Sequence, residues 1–218
     1  MLKEVKSMDV IVIGGGHAGV EAALACARMN LSTLLITGNL NMVSSMPCNP
    51  SIGGPAKGIL VREIDALGGE MGMNADKTAL QMKMLNRSKG PAVRALRAQS
   101  DKVLYPKEML NTLRKTKNLT LYEGYVKRLL VEDGFVRGVE MENHQQFSST
   151  SVIITTGTYM AAAVMVGHTK TPSGPDKQRP SVGLSEHLRE LGMKTFRLKT
   201  GTPPRIKKDT VDFSKMEL

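Results

Sequence analysis

The run MDVIVI at residues 8–13 is almost wholly apolar and β-branched, and it leads straight into GGGHAG at 14–19. Such a run suits a strand buried on both faces, as in a parallel sheet covered by helices. After the glycines comes VEAALACARMN (20–30); with Ala18 just before it, Ala22, Ala23, Ala25 and Ala27 make a slim helix able to pack close to a sheet. STLLIT at 32–37 supplies the next buried strand. Strand, Gly-rich turn, helix and strand together predict a βαβ unit at the start of an α/β chain. In that context Gly14-x-Gly16-x-x-Gly19 reads as a dinucleotide turn. Gly14 permits the tight turn, Gly16 lets the backbone approach a pyrophosphate, and Gly19 lets the helix lie against the strand. The phosphates would face free N–H groups and the positive end of the helix dipole.

The rest of the chain reads as follows. SMPCNPSIGGPAKG is a loop dense in turn residues, followed by a helix over 56–67 with Ile59, Leu60, Ile64 and Leu67 on one side. Residues 75–97 are basic and Met-rich, broken at Gly90-Pro91. A helix is expected over 99–116, kinked or restarted at Pro106. From 119 the period changes to alternation, with EDGF and ENHQ as hairpin turns, and predicts an antiparallel meander over about 119–150 that returns on a buried strand at 152–155. A short helix is expected over 181–192, ended by Gly192. Aromatic residues make up 4% of the 218 residues and Trp is absent, so the core must be aliphatic, with fifteen Met to fill gaps. Cys26 and Cys48 stand far apart in different contexts, which excludes a disulfide framework or a zinc site; no metal site is expected. No apolar run is long enough to span a bilayer, and the expectation is a cytoplasmic protein.

Charge is uneven. The formal net charge is +10, but residues 83–117 hold ten Lys/Arg against two acids, and residues 194–208 hold six against none. A local basic field suits a polyanion such as nucleic acid, a phosphorylated ligand or an acidic partner, and equally a solvated helix face. The turn alone leaves NAD and FAD both open. The acid that normally meets the ribose at the end of the second strand is missing, and Thr37-Gly38-Asn39 stands there instead. The meander followed by VIITTGT favours FAD, because Thr155-Thr156-Gly157 resembles the turn that passes the cofactor in flavoproteins of the glutathione-reductase type.

Four strings read together, GGGHAG, CNPSIGGPAKG (48–58), LNRSKGPAVRALRAQ (85–99) and RLKTGTPPRI (197–206), resemble the MnmG/GidA family over nearly the whole chain. The resemblance implies a Rossmann-like FAD-binding domain of glutathione-reductase type with an inserted antiparallel β-meander. It implies an enzyme that forms 5-carboxymethylaminomethyl uridine at the tRNA wobble position. That enzyme uses methylenetetrahydrofolate and glycine or ammonium, with NADH reducing the flavin, and it acts as a homodimer within a heterotetramer with a tRNA-modification GTPase of MnmE type. The cofactor contacts it carries over are Gly14, Gly15, Gly16, His17, Ala18 and Gly19, with Val126 on the first meander strand and Ser181 at the start of the short helix. The side chain of His17 reads as a polar filler or as a catalytic group. Cys48 reads as a reactive thiol over the flavin or as a packing thiol; Cys26 reads as packing. Lys89, Arg94 and Arg97 are candidate tRNA contacts, Arg94 and Arg97 being spaced to share one face of a turn.

The chain departs from the family in two ways. Members are much longer, so residues 1–200 are expected to be an incomplete, apparently truncated FAD domain and 201–218 the start of the next segment. The NADH site is then expected beyond residue 218, and weak or no FAD retention follows. Ala161, Ala162 and Ala163 stand where the family carries Gly or polar residues. Three alternative functions are a folate/FAD-dependent tRNA uridine methyltransferase, a truncated non-catalytic nucleotide- or tRNA-binding fragment, and a generic flavin oxidoreductase of small metabolites.

Overall fold

The computed structural model describes residues 7–201 and 206–216. Residues 202–205, inside both the second basic stretch and the RLKTGTPPRI string, lie outside the described residues.

The opening βαβ unit forms as the sequence predicts: β1 (Met8–Ile13), α1 (His17–Arg28) and β2 (Thr33–Thr37). Then come β3 (Ser51–Gly53), α2 (Lys57–Ala66), α3 (Met71–Thr78), β4 (Ala79–Leu85), β5 (Ala95–Ser100) and α4 (Leu104–Lys115). The second half runs β6 (Leu119–Glu123), β7 (Val126–Glu132), β8 (Phe135–Met141), β9 (Gln146–Ile154), β10 (Ala163–Val166), β11 (Thr169–Pro172) and α5 (Leu184–Glu190).

The main sheet has the order β6-β2-β1-β9-β8-β7. β6, β2, β1 and β9 run parallel, whereas β8 and β7 are antiparallel additions. Alternation along β1 explains its apolar run. Val10 and Val12 pack with Val20, Leu24, Tyr105, Met109 and Leu113 of α1 and α4 on one face. Ile11 and Ile13 pack with Leu129, Val139, Met141, Leu184 and Leu188 of the meander and α5 on the other. A fully buried aliphatic side chain of this kind contributes about 1.5–3 kcal/mol. β7 and β8 join through Asp133 and Gly134, both at positive φ (51° and 79°), as a two-residue hairpin turn requires.

Three expectations are corrected, and one stretch without an assigned structure takes a shape. Leu119–Glu123 is the outer parallel strand beside β2, not the start of the meander, which comprises β7, β8 and β9. Alternating residues look alike in either setting, and only the pairing partner decides. Residues 75–97 contribute the β4–β5 hairpin of a small antiparallel sheet ordered β3-β5-β4. Pro106 kinks nothing. It sits in the first turn of α4, where a missing N–H breaks no helical bond, and Asp101 Oδ1 accepts from Val103 N and Leu104 N at 2.8 and 2.9 Å just ahead of it. On α2 only Val61 is buried and Ile64 packs at the core edge, while Ile59, Leu60 and the following Leu67 are exposed.

Candidate functional site

The parallel strands β1, β2 and β9 end together, and the chain leaves β1 toward β2 on one side while β9 lies on the other. Such a switch point opens a crevice at the carboxyl edge of an α/β sheet. A cavity of about 280 Å³ lies there. Its floor is Ile13, Gly14, Gly15 and Gly16; its walls include Thr37, Gly38 and Asn39, Gly124, Tyr125 and Val126, Thr155 through Tyr159, and Ser181.

The glycine turn is shaped by close approaches. Gly14 has φ +111°, and a Cβ there would strike the Thr155 carbonyl oxygen. A Cβ on Gly19 would run into the Gly14 carbonyl oxygen, so the residue lets α1 start directly on the turn. Thr155 Oγ1 ties the two strand ends, donating to Ile13 O and Gly14 O at 2.9 and 3.2 Å. Gly16 differs: a Cβ there would meet nothing within 4 Å, because the residue faces the cavity. α1 carries no side-chain cap and no acid in its first turn. Its amino end therefore presents unpaired N–H groups to an anion. A pyrophosphate fits this cradle: the donors are backbone, the near wall lacks carboxylates, and the dipole has the right sign.

The predicted contacts fall into three groups. Gly14, Gly15, Gly16, Val126 and Ser181 line the cavity. Ala18 and Gly19 lie behind the turn in α1, Ala18 exposed and Gly19 buried. His17 opens α1, but its ring turns inward, 5.6 Å centroid to centroid from Tyr105, and its Nε2 is buried without a protein hydrogen-bond partner. Burial, and then the charge of Lys57, lower its pKa to about 4, so the ring is neutral at physiological pH. Ser181 is not at a helix start. α5 begins at Leu184, and Ser181 forms an extended bridge to Met160, donating its N–H to Tyr159 O at 2.9 Å. The turn residue Gly183, at φ +98°, holds the helix back.

Cys48 is exposed and does not line the cavity, although Ser45 and Pro47 just before it do. The loop thus reaches the cavity with its polar and proline residues. The basic candidates lie on the small sheet. Lys89 and Arg94 are exposed in the loop joining β4 to β5, and Arg94 Nη2 donates to Arg87 O at 3.2 Å. Arg97 is a strand residue, registered between Gly53 of β3 and Lys83 of β4. The chain is extended from Ala95 on, so Arg94 and Arg97 share no helical turn. Sequence reasoning missed the lining residues Tyr125, Tyr159 and Gln178; none lies in a recognisable motif.

The profile of the family described as Glucose inhibited division protein A matches residues 9–218. The chain is 61% identical over 215 residues to the tRNA uridine 5-carboxymethylaminomethyl modification enzyme MnmG of Bacillus subtilis (strain 168), a match that covers 99% of this chain and 34% of that protein. It is 61% identical over 207 residues to the protein of the same name from Acholeplasma laidlawii (strain PG-8A), covering 95% and 34%. Among solved structures, Aquifex aeolicus GidA in its form II crystal superposes with a TM-score of 0.92 at 44% identity, over 98% of this chain and 36% of that one. The GidA-related protein from Thermus thermophilus shares the fold, with a TM-score of 0.63 at 18% identity over 85% of this chain and 69% of that one. The chain thus spans about a third of the length of the curated relatives it matches.

Proposed function

The chain belongs to the glucose-inhibited division protein A family, and from that premise we propose that it forms the FAD-holding part of a tRNA-modifying enzyme acting on the wobble uridine. The observation that carries the cofactor reading is the uncapped, acid-free amino end of α1 opening through Gly14, Gly15 and Gly16 into the 280 Å³ cavity. Support for the tRNA reading comes from the names of the relatives and from the basic face of the small sheet. Bound flavin supplies the redox chemistry. The chain's own part is to hold the pyrophosphate on backbone N–H groups, to wall the cavity with Thr155, Thr156 and Gly157, and to bring the 45–54 loop to its rim. Cys48, one residue beyond the lining residue Pro47, is the candidate nucleophile in that loop. Lys89, Arg94 and Arg97 are the proposed tRNA phosphate contacts, a role that positions RNA without reading its bases. The finer proposals are a one-carbon unit from methylenetetrahydrofolate, nitrogen from glycine or ammonium, NADH as reductant, a GTPase partner, a homodimer within a heterotetramer, and a cytoplasmic setting. Among the described residues no helix is long and apolar enough to cross a membrane.

Gly16→Asp tests the cofactor reading. The new Cβ meets open space and the backbone φ of −72° suits any L-residue, so the fold is expected to survive. The carboxylate would occupy the anion cradle, and FAD affinity, followed by flavin fluorescence, is expected to fall by about a hundredfold or more, equivalent to about 3 kcal/mol. Equal FAD binding by the variant and the parent would remove the reading. For the reaction, nucleoside analysis of tRNA from cells in which this gene is deleted is expected to show loss of the carbon-5 substituent at the wobble uridine.

A further inference from the structure

A dinucleotide fold ordinarily presents a carboxylate to the ribose at the end of the second strand. Here β2 ends in Thr37 and is followed by Gly38 and Asn39, and the structure shows why no long side chain stands at 38. A Cβ on Gly38 would lie 2.5 Å from Cζ and 2.7 Å from Oη of Tyr125. The phenol end of that ring occupies the space in which an acidic side chain would begin. The carboxylate in register with Thr37, Glu123, is engaged elsewhere, accepting from Leu40 N at 2.8 Å. Asn39 Oδ1 is likewise used, accepting from Asn41 N at 2.9 Å.

Tyr125 is itself held in place. The Arg179 guanidinium lies over its ring, with Cζ 4.9 Å from the centroid. Arg179 is forked onto Glu142, Nη1 to Oε2 at 2.8 Å and Nη2 to Oε1 at 3.1 Å. Glu142 N donates to Tyr125 O at 2.9 Å, which closes the set. The three residues come from the turn before β7, the turn after β8 and the loop ahead of α5. A bidentate pair fixes the guanidinium plane, and planar guanidinium and aromatic groups both stack on nucleobases.

We propose that Tyr125, which lines the cavity, and Arg179, which lies over its ring, form a nucleobase subsite that holds the adenine of a dinucleotide by stacking, in place of the missing ribose carboxylate. The inference rests on the dinucleotide reading proposed above. A pyrophosphate at the amino end of α1 puts the ribose at the end of β2 and the base beyond it, at the residues that flank β7. Recognition through the ring planes senses the base and is indifferent to the ribose 2′-hydroxyl.

The probes are inorganic pyrophosphate, ADP and 2′-deoxy-ADP, titrated calorimetrically against the 218-residue chain and its Tyr125→Ala, Tyr125→Phe and Arg179→Ala variants. ADP is expected to bind the parent at least about tenfold tighter than pyrophosphate, and 2′-deoxy-ADP within about threefold of ADP. Tyr125→Ala is expected to lose about tenfold or more in ADP affinity, in line with a base–aromatic stack. Tyr125→Phe should stay within about twofold, and Arg179→Ala should lose a few-fold. Pyrophosphate affinity should hold in all variants, which reports an intact turn. If Tyr125→Ala also loses pyrophosphate binding, the exposed Arg179→Ala side-chain deletion decides, and an unchanged ADP affinity there overturns the proposal. Equal ADP affinity in the parent and a folded Tyr125→Ala overturns it too, as does a parent that binds ADP no better than pyrophosphate. A parent that binds neither ligand removes the dinucleotide reading, and this inference with it.

Discussion

His17 shows how a single residue can serve a site without facing it. Its backbone opens α1 at the cavity, while its ring is packed against Tyr105 and kept neutral. The ordinary imidazole pKa is 6.5 and the folded value is lowered to about 4, first by burial and then by Lys57. Between those values the unfolded chain binds a proton that the folded chain does not, so stability rises with pH across the window and is lost as pH falls from 6.5 toward 4. Urea unfolding at pH 7 and pH 5 is expected to show about 2 kcal/mol of acid destabilisation attributable to this ring. In His17→Gln that share of the pH dependence should vanish; an unchanged slope would mean the ring is not buried neutral.

At the scale of elements, the small sheet is where the basic segment acquires a shape. Lys83 and Arg97 sit directly opposite each other on β4 and β5, with Gly53 of β3 beyond. Like charges in register repel, and a bound polyanion would relieve that repulsion. The prediction belongs to the sheet as a unit. On the tRNA reading proposed above, a Lys83→Gln/Arg97→Gln double variant should weaken tRNA binding and flatten the plot of log affinity against log salt by about 0.7–0.9 per lost phosphate contact. Filter binding over a salt series reads this directly, and a slope identical to the parent would place the RNA elsewhere. Only β4 of this sheet carried a strand pattern, Leu80, Met82 and Met84 alternating with Gln81 and Lys83; β3 is three residues long, ALRAQS of β5 does not alternate, and Leu80, Met82 and Leu96 stay exposed instead of marking a core face. The hairpin β7–β8 was legible, because Asp133-Gly134 encodes its own turn.

Across the whole molecule, stability should be graded outward from the centre of the main sheet. β1 is paired on both sides, by β2 and β9, and packed on both faces. Residues 193–201 are exposed and form no helix or strand. Amide exchange is therefore expected to be slowest at Ile11, Val12, Leu35 and Ile153 and fast through 193–201, as sub-global opening predicts. Early exchange of β1 ahead of the outer strands would contradict the sheet order. From the sequence alone came the buried strand, the glycine turn, the alanine-rich helix and the hairpin turns, because each is dictated by neighbours in the chain: sterics at a tight turn, periodicity along one element. The tertiary structure alone decided that Leu119–Glu123 pairs with β2, that the ring of His17 turns inward, and that Tyr125 lies on Gly38 beneath Arg179. Those outcomes depend on which distant segments meet, and a contact between residues far apart in the chain leaves no local pattern at either of them.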